Sequence, residues 1–116
     1  MQIVIHEQNI AEAVADGVVV RSSSDALDLM ARSDIPMPKK LILHRENIEP
    51  SFFDLKTGVA GEILQKFVTY QVQLAIVGDF STIASESFQA FVRESNRGHH
   101  FFFVESIEAA KGKLSK

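Results

Sequence analysis

Residues Phe52 to Phe80, FFDLKTGVAGEILQKFVTYQVQLAIVGDF, leave this chain few ways to fold. Phe52-Phe53 returns the chain to a core. Asp54 or Thr57 can then cap a helix, because a short side chain with an oxygen accepts from the free N–H groups of a first helical turn. From about Gly58 to Tyr70 the apolar residues recur at helical spacing, so Ala60, Ile63, Leu64 and Phe67 form one inward stripe. Glu62 and Lys66 fall outside that stripe as an i,i+4 pair in the favourable order. Leu74-Ala75-Ile76-Val77-Gly78 is apolar without alternation, which suits a strand covered on both faces.

The same grammar repeats on either side. Leu41-Ile42-Leu43-His44 reads as a buried strand before this stretch, and Phe101–Val104 as another after it. Ser85 starts a helix with Phe88, Phe91 and Val92 inward, and Gly98 stands at its end. Ser106 starts a last helix with Ile107, Ala110 and Leu114 inward. From residue 41 the order is therefore strand, helix, strand, helix, strand, helix, which predicts parallel strands joined by right-handed crossovers. Upstream, Gln2–His6 reads as an opening strand. Ile10–Ala15 and Val18–Arg21 flank Asp16-Gly17, a hairpin signal near a sheet edge. Ser22–Ser24 offer caps for a helix over Asp25–Arg32 with Leu27, Met30 and Ala31 inward, closed by Pro36 and Pro38. Asn47 to Pro50 reads as a loop. The expectation is one α/β domain over residues 1–116, a mixed sheet with a parallel βαβαβα C-terminal part.

Composition removes several function classes. At 116 residues one domain is expected, long enough to bury a core without staples. The 15 acidic and 12 basic residues leave a net charge of −3, and the basic residues are scattered, so no nucleic acid is expected as a partner. Lys111, Lys113 and Lys116 read as a solvated helix end. Cysteine is absent, which removes disulfides, thiolate metal ligands and thiol nucleophiles. No leader pattern opens the sequence and no apolar run nears the roughly 20 residues of a membrane helix, so a cytoplasmic protein with no membrane contact is expected. No metal and no cofactor is expected. His99 and His100 are adjacent and would point to opposite faces of a strand, while His6 and His44 stand at strand ends beside Glu7 and Glu46. Gly58-x-x-Gly61 lacks the rest of a phosphate loop, and Gly61 reads instead as a close helix–sheet contact. There is no Gly-x-Ser-x-Gly elbow.

In open α/β sheets ligands and partners meet the carboxyl ends of the strands. Here those ends carry His44, Asp79 and Glu105, with helix starts at Asp54–Gly58 and Ser81–Ser85 close by. One rim is expected to gather Asp54, Lys56, Thr57, Gly58, Asp79 and Ser81 as a binding surface. The plainer alternative makes Asp54, Thr57 and Ser81 caps and turn residues, and Asp79 an acceptor for loop amides.

Four blocks in order carry a resemblance: FFDLKTG at Phe52–Gly58, GEILQKF at Gly61–Phe67, LAIVGDF at Leu74–Phe80 and RESNRG at Arg93–Gly98. Over roughly residues 25–112 the chain resembles a bacterial family known as domain of unknown function 4180, which implies no activity. A looser likeness is to the STAS domains of anti-sigma factor antagonists. In those an Asp and a Gly bracket a Ser or Thr that a partner kinase phosphorylates, and the same rim docks the partner. Asp54 and Gly58 match the ends of that motif and Thr57 the hydroxyl before the Gly, while Leu55 stands where the phosphorylated Ser would follow the Asp. The likeness implies a non-enzymatic regulatory or protein-interaction module, with a protein partner or a homo-oligomer. The alternative is a small-molecule or anion-binding domain, with weak hydrolysis centred on Asp79 and Lys56.

Overall fold

The computed structural model describes residues 1–115, so the expectation for Lys116 lies outside the described residues. Five strands appear where β-branched and aromatic runs predict them: β1 (Gln2–Ile5), β2 (Ile10–Val14), β3 (Lys40–His44), β4 (Gln73–Val77) and β5 (Phe101–Val104). Four helices alternate with them: α1 (Ser23–Met30), α2 (Val59–Thr69), α3 (Glu86–Arg97) and α4 (Ile107–Leu114). Ser22, Ser85 and Ser106 cap α1, α3 and α4 by accepting from the amides of Asp25, Phe88 and Ala109.

The strands form one mixed sheet in chain order, β1-β2-β3-β4-β5. Only the β1–β2 pair is antiparallel. Every crossover from β2 to β5 steps the same way, so right-handed connections must place α1, α2 and α3 on one face. The core has that arrangement. Ala11, Leu41, Leu43, Leu74, Ile76 and Phe103 point toward those helices and meet Leu29, Ile63, Leu64, Phe67 and Phe88. The alternate residues Ile10, Ile42, Ala75, Phe102 and Val104 meet α4 through Ala110 and Leu114. After β5, α4 folds back beneath β3, β4 and β5. Burial on both faces explains why these strands read as unbroken apolar runs.

Four local expectations need correction. The chain reverses between β1 and β2 at Glu7–Asn9, where Gln8 and Asn9 take φ 63° and 59°. Asp16-Gly17 does turn the chain, with Gly17 at φ 73°, but no strand follows to pair with β2. Its continuation is claimed by Asn47 instead: the amides of Val19 and Val20 donate to the Asn47 carbonyl at 2.8 and 3.0 Å, and Val20 bridges to Ile48. In α1 the inward residues are Ala26, Leu29 and Met30, at i, i+3 and i+4; Ala31 is exposed and Leu27 half-buried. Gly61 is exposed on the outer side of α2, and a Cβ there would meet nothing within 4 Å, so it makes no close contact with the sheet. Glu62 and Lys66, one turn apart on α2, are not among the ion pairs formed.

Among the described residues no helix is long and apolar enough to cross a membrane. The open edge of β5 is met by the Asn96 side chain, whose Oδ1 accepts from the Phe103 amide at 2.8 Å and whose Nδ2 donates to its carbonyl at 3.1 Å. An edge strand covered in this way offers fewer free groups to a neighbouring chain.

Candidate functional site

The carboxyl ends of β3 and β4 open into a cleft of about 660 Å³. His44, Arg45 and Glu46 line it from the end of β3, and Val77, Gly78, Asp79 and Thr82 from the end of β4. Val18, Ile48, Pro50 and Phe53 supply an apolar wall. A hollow of similar size, about 600 Å³, lies at the opposite end of the sheet, where Leu27, Met30, Met37, Tyr70 and Val72 make it largely apolar. Charged groups converge at the first cleft, which also has the position where parallel sheets bind ligands.

Arg45 is the organising residue of this cleft. Its guanidinium carbon sits 5.3 Å from the Phe53 ring centroid and 5.7 Å from that of Phe80, within cation–π range of both. Nη1 donates to the Asp79 carbonyl and lies 3.4 Å from Thr82 Oγ1. The stem of the side chain crosses the backbone of Gly78: a Cβ on that glycine would lie 2.7 Å from Arg45 Cβ. Gly78 is thus required by the path of Arg45 and not by its own torsions.

Asp79 lines the cleft, two residues after the end of β4. Its Oδ1 accepts from the Ser81 hydroxyl at 2.6 Å and from the Ser81 amide at 3.0 Å. These two bonds, with the nearby Arg45 charge, hold the carboxyl below the usual carboxylate range.

Asp54, Lys56, Thr57 and Gly58 are exposed and do not line this cleft. They form the single turn Leu55–Thr57 that leads into α2. Asp54 Oδ1 accepts from the Lys56 amide at 3.2 Å. Thr57 Oγ1 lies 2.7 and 2.8 Å from the carbonyl oxygens of Ser51 and Asp54 and accepts from the Val59 amide at 3.2 Å. Gly58, at φ 77°, takes the left-handed conformation that joins this turn to the helix. Gly58 also borders a smaller hollow between α2 and α3, with Leu55, Gly61, Phe91 and Phe101.

Glu12 joins two histidines that stand far apart in sequence. His6 Nε2 is 2.8 Å from its Oε1 and His44 Nε2 is 2.6 Å from its Oε2. Burial pushes the Glu12 carboxyl up, but the hydrogen bonds from His44 and His6 outweigh that and hold it below its ordinary value. The signal for this cluster is register: Glu12 lies opposite Val4 and Ile42, and His6 and His44 follow those residues by two. His99 and His100 precede β5 and are exposed. Among the described residues no three His, Asp or Glu side chains are grouped to hold a metal ion.

Asn47 escaped the sequence reading as a loop residue. It is 1% exposed, and its Nδ2 donates to the carbonyls of Ala15 and Gly17 at 2.9 and 2.8 Å. It pins the segment that carries Val18, one wall of the cleft.

Comparisons with curated proteins and with solved structures give no match. The model of a family described as domain of unknown function (DUF4180) matches residues 5–114, nearly the whole chain, and the chain belongs to that family.

Proposed function

We propose that the protein is a binding module that takes a small polar molecule in the cleft at the carboxyl ends of β3 and β4. The observation that carries this reading is the convergence there of Arg45, Glu46, Asp79 and Thr82 around about 660 Å³ of space backed by apolar side chains. That size and mixture are those of small-molecule sites, in which a few polar groups orient a ligand against an apolar wall. The regulatory, STAS-like reading would put a phosphate on Thr57. The bonds of the Thr57 hydroxyl to Ser51, Asp54 and Val59 support a capping role there instead, so the cleft reading stands first.

The test is thermal unfolding of the protein with the low-molecular-weight and the high-molecular-weight fractions of its native cell extract. The low-molecular-weight fraction should raise the midpoint, since a ligand that binds only the folded state stabilises it. Glu46→Trp puts a bulky ring at an exposed position of the cleft lining and should abolish the rise. An equal rise in Glu46→Trp, or none in the wild type, overturns the reading. A rise confined to the high-molecular-weight fraction favours the protein-interaction module.

A further inference from the structure

We propose that the cleft is selective for a small monocarboxylate that also carries a hydrogen-bond donor, such as a hydroxy acid or an amino acid, with Arg45 gripping the carboxylate. This rests on the reading of the cleft as a ligand site. Arg45 is half-buried against the rings of Phe53 and Phe80, yet among the described residues it has no carboxylate within ion-pair distance. Its bonds to protein run through Nη1, to the Asp79 carbonyl and Thr82. Nε and Nη2 keep no protein acceptor among those residues. That edge of a guanidinium is a fork with two parallel donors, matched to the two oxygens of a carboxylate. A cation that has lost part of its hydration to aromatic rings gains most from an anion that arrives with the ligand.

The rest of the lining narrows the ligand class. Asp79 spends Oδ1 on Ser81, and Oδ2 has no protein donor among the described residues. Glu46 adds a second carboxylate to the wall. Two acidic residues on the same lining as one arginine disfavour a ligand with several negative charges, such as a phosphate dianion. They favour one that pairs a single carboxylate with a hydroxyl or ammonium donor.

The test is NMR of ¹⁵N-labelled protein, following the Arg45 Nε–H signal and the amides of Gly78 and Asp79. The probes are acetate, glycolate, L-serine, methylammonium, methanol and inorganic phosphate. Glycolate and L-serine should shift all three signals, acetate more weakly, and the others not. Arg45→Lys keeps the charge and loses the fork, and should weaken glycolate binding about tenfold or more. Asp79→Asn should narrow the preference for glycolate over acetate. If Arg45→Lys does not fold, the wild-type Nε–H signal decides, because glycolate must move it. Phosphate binding more tightly than glycolate overturns the proposal, as does undiminished glycolate binding in folded Arg45→Lys. Cleft signals that move with methylammonium or methanol but not with carboxylates overturn the anion class and leave the cleft reading intact. Cleft signals that no probe moves overturn the proposal, while the extract experiment above judges the cleft reading by itself.

Discussion

Gly78 shows how much one missing side chain decides. It follows β4 at the point where the chain leaves the sheet, and its flatness lets Arg45 cross from the end of β3 toward Phe53 and Phe80. Gly78→Ala brings a Cβ to 2.7 Å from Arg45 Cβ, an atom near the backbone that cannot swing away like a side-chain tip. The substitution should cost about 1–3 kcal/mol, the usual range for overpacking. Urea unfolding of Gly78→Ala, alone and with Arg45→Gly, measures it: the second change removes the opposing Cβ and should recover most of the loss. A loss that Arg45→Gly leaves undiminished would show that Gly78 is needed for another reason. Nothing in the sequence around Gly78 announces this contact, because Arg45 lies 33 positions earlier in the numbering.

At the scale of the element, α2 is the part most legible from sequence. Its buried residues Ala60, Ile63, Leu64 and Phe67 are the ones that helical spacing selects. The same spacing says nothing about Gly61, which lies on the outer side. Since nothing stands within 4 Å of where its Cβ would be, Gly61→Ala should stabilise the protein, by about 0.8–1 kcal/mol from helix propensity. Thermal melts compare the two proteins, and a lowered midpoint would mean that α2 tolerates only glycine there. The hairpin failed as an element for a different reason. Asp16-Gly17 has the right turn chemistry, but a turn becomes a hairpin only if the strand after it finds a partner. Buried Asn47 takes the amides of Val19 and Val20 first, and β2 pairs with β1 and β3 instead.

At the scale of the whole molecule, Glu12 ties three strands together through His6, next to β1, and His44, at the end of β3. Its carboxyl is held below its ordinary value of 4.5 in the folded state, so the cluster contributes stability that is present above that pH. The contribution disappears as pH falls through the lower folded value, because the protonated carboxyl no longer accepts from both imidazoles. Wild type and Glu12→Gln should therefore differ in urea midpoint at pH 7 and converge as pH drops below about 4.5. A difference that stays constant through that window would show that shape, and not charge, accounts for the role of Glu12.

Sequence alone determined the class of this protein, because burial repeats at the period of each element. Apolar runs in β3, β4 and β5 and stripes in α2, α3 and α4 demand a sheet covered on two faces, and strands that alternate with helices demand parallel crossovers. It also placed Asp79 directly after a buried strand, where the cleft opens. What it could not determine is anything that depends on two distant segments meeting. The Arg45–Gly78 crossing, the Glu12 cluster and the Asn47 hub each join residues on different elements, and no periodicity links them. The rim made the same point in reverse. Asp54, Thr57 and Gly58 are spaced like a site but are bonded as a helix start, while Arg45, which carries no motif, faces the cleft because the register of β3 against β4 puts it there. Local pattern sets which elements form; only their packing brings particular side chains to one cleft.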